Sequence, residues 1–96
     1  MKYIAFWEFN PEDFENVIEK LMQIRAERKT GTEKYPKSLS AAYTMLGEPK
    51  GFQLFETDDP EQLVNLSLHY VPLVKFKFIP IIESTKGVEI YHKMKK

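Results

Sequence analysis

The order of apolar and polar residues along this chain predicts alternating strands and helices. Apolar and aromatic residues fill nearly every position of Lys2–Phe9, which is typical of a central strand covered on both faces. From Pro11 to about Lys29, apolar side chains recur every three or four residues, with charged residues between them. That spacing predicts an amphipathic helix directly after the first strand.

A β-hairpin is predicted after an irregular segment. A glycine and a proline break the periodicity of Lys29–Lys37, which we interpret as a mobile surface loop. Apolar and polar residues alternate over Ser38–Leu46, and a further apolar run covers Gly51–Thr57. Between them, Gly47–Lys50 reads G-E-P-K and is rich in turn-forming residues. The two runs are therefore expected to pair as antiparallel strands.

Two helix starts share one motif, N-P-E-D at residues 10–13 and D-P-E-Q at residues 59–62. In each copy a capping side chain precedes proline at the first helical position, where the missing N–H costs nothing. Asp13 and Gln62 follow at the position that a capping box uses. The second motif predicts a helix from Pro60 to about Tyr70.

The last part of the chain predicts one more strand and one more helix. Lys75–Glu83 is strand-like, and its internal Pro80 removes a ladder donor, which predicts an edge strand or a bulge. Ser84 or Thr85 is a candidate cap for a final helix. A fifth strand over Gly87–Tyr91 is the alternative, and we favour the helix.

Together these elements predict an α+β fold with the order β-α-β-β-α-β and a C-terminal helix, in a single domain over residues 1–96. The expected architecture is ferredoxin-like, with a four-stranded antiparallel sheet. Both crossovers are expected to be right-handed, so both helices cover the same face of the sheet. The other face stays bare in a monomer.

Strand alternation divides the side chains of the first and third strands between the two faces. One predicted face carries Tyr3, Ala5, Trp7, Phe52, Leu54 and Glu56. The other carries Ile4, Phe6, Glu8, Gln53, Phe55 and Thr57. Because both sets are too apolar to face water, we expect the bare face to pack against a second copy in a homodimer.

Composition narrows the classes of partner. Acidic and basic residues number 14 each, so no net field favours nucleic acid or an anionic membrane. The chain has no cysteine and only two histidines, which argues against a metal site and gives no indication of a cofactor. No apolar run approaches the roughly 20 residues of a membrane span, and no signal peptide is recognisable. We therefore expect a cytoplasmic protein.

Two sequence blocks carry a family resemblance: F-Q-L-F-E-T-D-D-P-E-Q-L at Phe52–Leu63 and Y-V-P-L-V-K-F-K-F-I-P-I at Tyr70–Ile81. They are similar to blocks of the dimeric α/β barrel superfamily, and within it to a family of short prokaryotic domains of unknown function. The resemblance implies ferredoxin-like domains whose sheets pair into a two-subunit barrel. It implies no chemistry.

Four residues are candidates for a ligand site. Glu56 closes an apolar strand, where a carboxylate can act as a general base or anchor, or can accept N–H bonds from the following helix. Trp7 and Tyr43 can stack on a planar ligand or can fill the sheet packing. His69, near the end of the second helix, can transfer protons or can interact with the helix dipole.

These candidates leave three functional hypotheses. The favoured one is a small-molecule binder that holds an apolar or aromatic ligand in the barrel interior. The first alternative is a cofactor-independent enzyme of isomerase or monooxygenase type, which rests on fold analogy. The second is a structural assembly module with a filled barrel. A cavity of about 300 Å³ or more lined by His69 or Glu56 would favour the first two.

Overall fold

The computed structural model describes residues 1–31 and 34–95 and has an α+β fold. The elements are β1 (Lys2–Phe9), α1 (Phe14–Lys29), β2 (Lys37–Ser38), β3 (Tyr43–Thr44), β4 (Lys50–Glu56), α2 (Pro60–Tyr70), β5 (Val74–Ile81) and α3 (Ser84–Met94). A single 3-10 turn, Pro11–Asp13, leads into α1. The predicted C-terminal helix is confirmed, and the alternative of a fifth strand there is wrong.

The sheet is antiparallel, in the order β2-β4-β1-β5, and β3 also pairs with β4. β1 lies between β4 and β5, which explains why nearly every residue of Lys2–Phe9 is apolar or aromatic. β5 lies at the edge of the described sheet, so Pro80 interrupts no central ladder. The edge position predicted from Pro80 is confirmed.

The predicted continuous strand over Ser38–Leu46 is wrong, because a bulge divides it into β2 and β3. Ser38 pairs with Phe55 and Tyr43 pairs with Phe52, so residues 39–42 stand opposite only two residues of β4. The Ser40 hydroxyl accepts a hydrogen bond from the Leu54 amide at 3.0 Å. A side chain therefore replaces a missing ladder partner and keeps the bulge in place.

The sequence predicts a mobile surface loop after α1. In the structure, the described part of this segment is instead anchored by specific contacts. Tyr35 and Pro36 are buried. The Tyr35 hydroxyl donates to Glu27 Oε2 at 2.7 Å, and Arg28 Nη2 donates to the Pro36 carbonyl at 2.9 Å. Residues 32 and 33 of this segment lie outside the described residues.

The two helix starts behave differently despite their shared motif. The Asp59 carboxylate caps α2 by accepting from the Glu61 amide at 3.0 Å, as predicted. Asn10 makes no side-chain cap, because the chain closes a 3-10 turn there through backbone bonds. Gln62 does not complete a capping box, since its Oε1 accepts from the Thr57 hydroxyl. Neither predicted cap of α3 is used, and Glu83 precedes the helix without a side-chain cap bond.

Helices α1 and α2 cover one face of the sheet, which we call the helix face. Its buried core is formed by Ala5, Val17, Ile24, Tyr35, Phe55, Leu66, Tyr70 and Val74. Trp7, Phe9, Phe76 and Phe78 pack against this core from β1 and β5. The opposite face, which we call the open face, receives neither α1 nor α2.

The predicted division of β4 between the two faces is wrong by one residue. Trp7 pairs with Gly51, and Lys2 pairs with Glu56. Directly opposed residues share a face, so Glu56 lies on the open face and Trp7 on the helix face. β1 and β4 are not joined by a turn, and therefore no turn chemistry fixes their register in the sequence.

The C-terminal helix stands apart from the core. α3 buries none of its described side chains, and its apolar residues Val88, Tyr91 and Met94 are exposed. The radius of gyration is 15.7 Å, whereas a compact domain of this length has about 12.5 Å. Among the described residues, no helix combines the length and apolarity needed to cross a membrane.

Candidate ligand cavity

A cavity of about 650 Å³ opens between α1 and the helix face of the sheet. Its walls come from β1, α1, β4, α2 and β5, and the turn between β3 and β4 forms part of the rim. The volume lies within the range of small-molecule sites, about 300 to 1,000 Å³.

The cavity opens beside the first turns of α1, which bury Val17 but leave other apolar side chains partly exposed. Val17 and Ile24 are the α1 residues buried in the core, while Phe14 is 55% exposed and Ile18 is 39% exposed. Phe14 and Ile18 both line the cavity. Partly exposed apolar side chains at a cavity wall are typical of a surface that a ligand covers.

Aromatic rings form one wall of the cavity. Trp7 stacks on Phe9 with ring centroids 6.0 Å apart and planes inclined by 14°. Phe14 approaches Phe9 at 6.3 Å, and Tyr70 approaches Phe76 at 5.4 Å. All five rings line the cavity, so a planar apolar molecule meets ring faces and edges there.

A few polar groups interrupt the apolar wall. Trp7 and Tyr70 are lining residues whose side chains carry a hydrogen-bond donor, an indole N–H and a phenolic hydroxyl. Burial raises the pKa of Tyr70, although Arg25 and Arg28 act in the opposite direction. The hydroxyl therefore stays protonated and can donate a hydrogen bond at neutral pH. Glu48 is the one carboxylate among the described lining residues, and no histidine is among them.

Gln53 links the cavity wall to the bulge between β2 and β3. It lines the cavity, and its Nε2 donates to the Ser38 hydroxyl at 2.6 Å and to the Ser40 carbonyl at 3.0 Å. Ala42, at the end of the bulge, lines the cavity as well. The bulge therefore forms part of the cavity rim, and Gln53 fixes its position.

The four candidate residues from the sequence do not converge in one place. Trp7 lines the cavity, whereas Tyr43, Glu56 and His69 do not. Tyr43 stacks on Phe52 at 5.4 Å on the open face, and it is 54% exposed. Glu56 lies on the same face, opposite Lys2 and Lys37 in the neighbouring strands.

His69 connects the two helices. Its Nε2 lies 2.7 Å from the carbonyl oxygen of Lys20 in α1, which requires the ring to carry a proton on that nitrogen. The ring also meets Tyr35 and Tyr70 edge-on, at 6.0 Å and 5.0 Å. These contacts give His69 a role in packing α2 against α1, which differs from the predicted interaction with the helix dipole.

Sequence reasoning missed Gln53, Tyr70 and the α1 residues of the cavity. The sequence places Tyr70 at the end of the second helix, but a helix position does not show whether a neighbouring helix closes over the side chain. The sequence contains one signal for the cavity. Phe14 and Ile18 are apolar residues in the first turns of α1, and neither is fully buried in the core.

Among the described residues, no group of three or more His, Asp or Glu side chains is placed to hold a metal ion. No curated protein matches the chain. One family model does match, and it extends over residues 1–95 with the description of a domain of unknown function. Because that match covers nearly the whole sequence, the chain belongs to the DUF3303 family.

Proposed function

We propose that this domain binds a small apolar or aromatic molecule in the cavity between α1 and the sheet. The observation that carries the proposal is an aromatic-walled cavity of about 650 Å³ with partly exposed apolar residues at its wall. A small domain buries a smaller fraction of its surface on folding than a large one does. It therefore can leave little apolar surface exposed to water. The apolar wall of the cavity is in contact with water, and a ligand that covers this wall gains free energy from the apolar area removed from water.

The ligand that fits best is a planar, mostly apolar molecule with one hydrogen-bond acceptor. Trp7, Phe9 and Phe14 provide ring surface for stacking. The Tyr70 hydroxyl provides a neutral donor for a carbonyl or ether oxygen. The near absence of charge at the wall disfavours strongly ionic ligands, because their charge would be desolvated without a partner.

This location differs from the one expected from the sequence. The sequence hypothesis held the ligand inside a barrel between two sheets, with Trp7, Tyr43, Glu56 and His69 around it. The proposed site instead lies on the helix face and retains Trp7 alone from that set. The lining contains neither His69 nor Glu56, so it does not favour an enzyme of isomerase or monooxygenase type.

We further propose that the fold is ferredoxin-like. If β2 and β3 are counted as one interrupted strand, the sheet has its second, third, first and fourth strands in that spatial order. Both helices cross on the same face, which supports the β-α-β-β-α-β arrangement. A two-subunit barrel would follow from pairing of the open faces.

Binding of 2-naphthol tests the proposed site, because this probe is bicyclic, apolar and carries one hydroxyl. Trp7 is the only tryptophan of the chain, so quenching of its fluorescence reports on the cavity wall. Ala42→Phe places a ring at the rim of the cavity. The adjacent Ala41 is also exposed but does not line the cavity, so Ala41→Phe is the matched control.

We expect saturable quenching in the parent and in Ala41→Phe, and at least about tenfold weaker binding in Ala42→Phe, which corresponds to about 1.4 kcal/mol. Equal binding in all three proteins would place the probe elsewhere and refute the site. Mass spectrometry of solvent extracts from the purified protein complements this test, since a co-purified apolar molecule would identify the natural ligand class.

A further inference from the structure

A second cavity, which we call the lysine pocket, has a volume of about 450 Å³ and lies at the end of the open face where β1 ends and β4 and β5 begin. This volume is within the range of small-molecule sites, about 300 to 1,000 Å³. The open-face residues that line it are Phe6, Glu8, Lys50, Lys75 and Lys77, and Met45 joins them from the turn after β3.

The lysine pocket carries an excess of positive charge. Glu8 stands directly between Lys50 of β4 and Lys75 of β5 in the strand register, and Lys77 follows on the same face. Lys50 Nζ lies 3.7 Å from Glu48 Oε2. Among the described residues, Glu8, Lys75 and Lys77 take part in no salt bridge. The three ammonium groups therefore outnumber the two carboxylates at this end of the face.

Lys75 and Lys77 are placed to hold one anionic group together. They are alternate residues of β5 on one face of the sheet, so their Cα atoms are about 7 Å apart at about 3.3 Å per residue. Their flexible four-carbon side chains allow both ammonium groups to reach the same anion. Two like charges repel each other, and an anion between them replaces this repulsion with attraction.

The rest of the lysine pocket offers apolar surface. Phe6 contacts Phe52 with ring centroids 6.3 Å apart, and neither α1 nor α2 covers this face. Met45 is 39% exposed, and its unbranched thioether adapts to irregular shapes. An inorganic anion would leave these apolar side chains in contact with water, whereas an organic anion would cover them.

We propose that the lysine pocket binds an organic anion, with its carboxylate or phosphate between Lys75 and Lys77 and its apolar body on Phe6 and Met45. Glu8 limits the affinity, because its carboxylate lies beside the same cations and repels the ligand. The lysine pocket and the cavity under α1 lie on opposite faces of the sheet, so this proposal does not rest on the proposed function.

Calorimetric titration with 2-naphthoate tests the lysine pocket. This probe shares its bicyclic body with 2-naphthol but carries a carboxylate, which is ionised at neutral pH. Lys75→Gln and Lys77→Gln each remove one proposed contact. Lys37→Gln is the matched control, because Lys37 is an exposed lysine on the same face at the other end of the sheet and does not line the pocket. Circular dichroism of each variant reports folding.

We expect saturable binding of 2-naphthoate in the parent, and at least about fivefold weaker binding in Lys75→Gln and in Lys77→Gln. Lys37→Gln should bind as the parent does. Glu8→Gln should bind about threefold more tightly, because a repelling charge is removed while the side-chain shape is kept. Ala42→Phe, which narrows the cavity under α1, should leave 2-naphthoate binding unchanged.

Four results would overturn the proposal. They are the absence of saturable 2-naphthoate binding, equal weakening by the control Lys37→Gln, loss of binding in Ala42→Phe, and binding of inorganic phosphate as tight as that of 2-naphthoate. The third would place the anion in the cavity under α1, and the fourth would remove the role of Phe6 and Met45. Binding of 2-naphthol is measured separately, so failure of the lysine pocket leaves the proposed function standing.

Discussion

Trp7 and Gly51 oppose each other in the β1–β4 ladder, and the indole of Trp7 occupies the space that a side chain at position 51 would need. A Cβ atom built on Gly51 would lie 2.5 Å from Trp7 Cζ2 and 2.0 Å from the carbonyl oxygen of Tyr43. A glycine is therefore required for steric reasons, not for an unusual backbone angle. The pair sets the position of one aromatic wall of the cavity.

Gly51→Ala should destabilise the protein strongly. The added methyl group clashes with backbone as well as with the indole, so overpacking of at least about 1 to 3 kcal/mol is expected. Gly87→Ala is the matched control, because its Cβ would meet nothing closer than 3.7 Å, and alanine in helix α3 is favoured by about 0.5 to 1 kcal/mol. Urea unfolding measures the free energy of unfolding of both variants. A Gly51→Ala protein as stable as the parent would contradict the steric clash at position 51.

Much of the fold could be predicted from sequence because local patterns determine it. The strand Lys2–Phe9 follows from its continuous apolar run, and the start of α2 at Pro60 follows from its capping motif. The bulge between β2 and β3 could not be predicted, since Ser40 replaces a ladder partner only once Leu54 is beside it. The alternation of apolar and polar residues over Ser38–Leu46 does not reveal whether a bulge interrupts the strand.

The candidate site was less predictable than the fold. The sequence groups Trp7 and Glu56 on one face, but β1 and β4 are not consecutive in sequence, and a one-residue difference in their register reverses the facing of every side chain of β4. The cavity depends on how far α1 stands from the sheet, which no residue pattern encodes. His69 can transfer protons by residue type, but its contact with the Lys20 carbonyl gives it a structural role.

Tyr35 should make stability depend on pH in the alkaline range. Burial and its hydrogen bond to Glu27 raise the pKa of Tyr35 to about 12, from an ordinary value of 10.0. The folded state favours the protonated phenol, so this contribution is complete below about pH 10 and is lost as the pH rises through about 12. Unfolding free energies measured from pH 8 to 12 should fall over that interval.

Tyr35→Phe is the control for this pH dependence. It should reduce the slope between about pH 10 and 12, because the titrating hydroxyl is gone. Some slope should remain, since burial raises the pKa of Tyr70 as well. At neutral pH the variant should lose about 1.5 to 3 kcal/mol with the hydrogen bond to the Glu27 carboxylate. An unchanged slope would show that another group causes the alkaline loss.

His69→Phe should weaken the contact between α1 and α2. Phenylalanine keeps the ring packing on Tyr35 and Tyr70 but cannot donate to the Lys20 carbonyl. The expected loss of unfolding free energy is about 1 kcal/mol, the net value of a typical hydrogen bond. His92→Phe, on exposed α3, should be neutral in the same denaturation experiment. Equal effects at both positions would argue against the helix-to-helix role of His69.

Glu56→Gln distinguishes the two faces of the sheet. Glu56 lies on the open face beside Lys2 and Lys37, so naphthol binding on the helix face should not change. Lys2 Nζ pairs with Glu83 Oε1 at 2.7 Å rather than with Glu56, so the monomer should lose less than about 1 kcal/mol. Calorimetric titration with 2-naphthol measures the binding, and thermal unfolding measures the stability. Loss of binding with unchanged stability would restore Glu56 as a ligand residue.

Exposed apolar residues of α3 should matter for assembly and not for the fold of the monomer. Val88 is 54% exposed and Tyr91 is 57% exposed, and α3 buries no described side chain. Val88→Asp and Tyr91→Asp should therefore change unfolding of the monomer by less than about 0.5 kcal/mol, as surface substitutions do. If α3 packs on the partner of the open face, the same changes should weaken the dimer severalfold.

Sedimentation equilibrium and urea unfolding at a dilution that keeps the chain monomeric separate these two effects. Glu89→Asp, an exposed conservative change on α3, is the matched control and should alter neither measurement. Weaker self-association with unchanged monomer stability would extend the subunit interface from the sheet onto α3. A large loss of monomer stability would instead mean that α3 packs on its own chain in solution, which would contradict its exposed position.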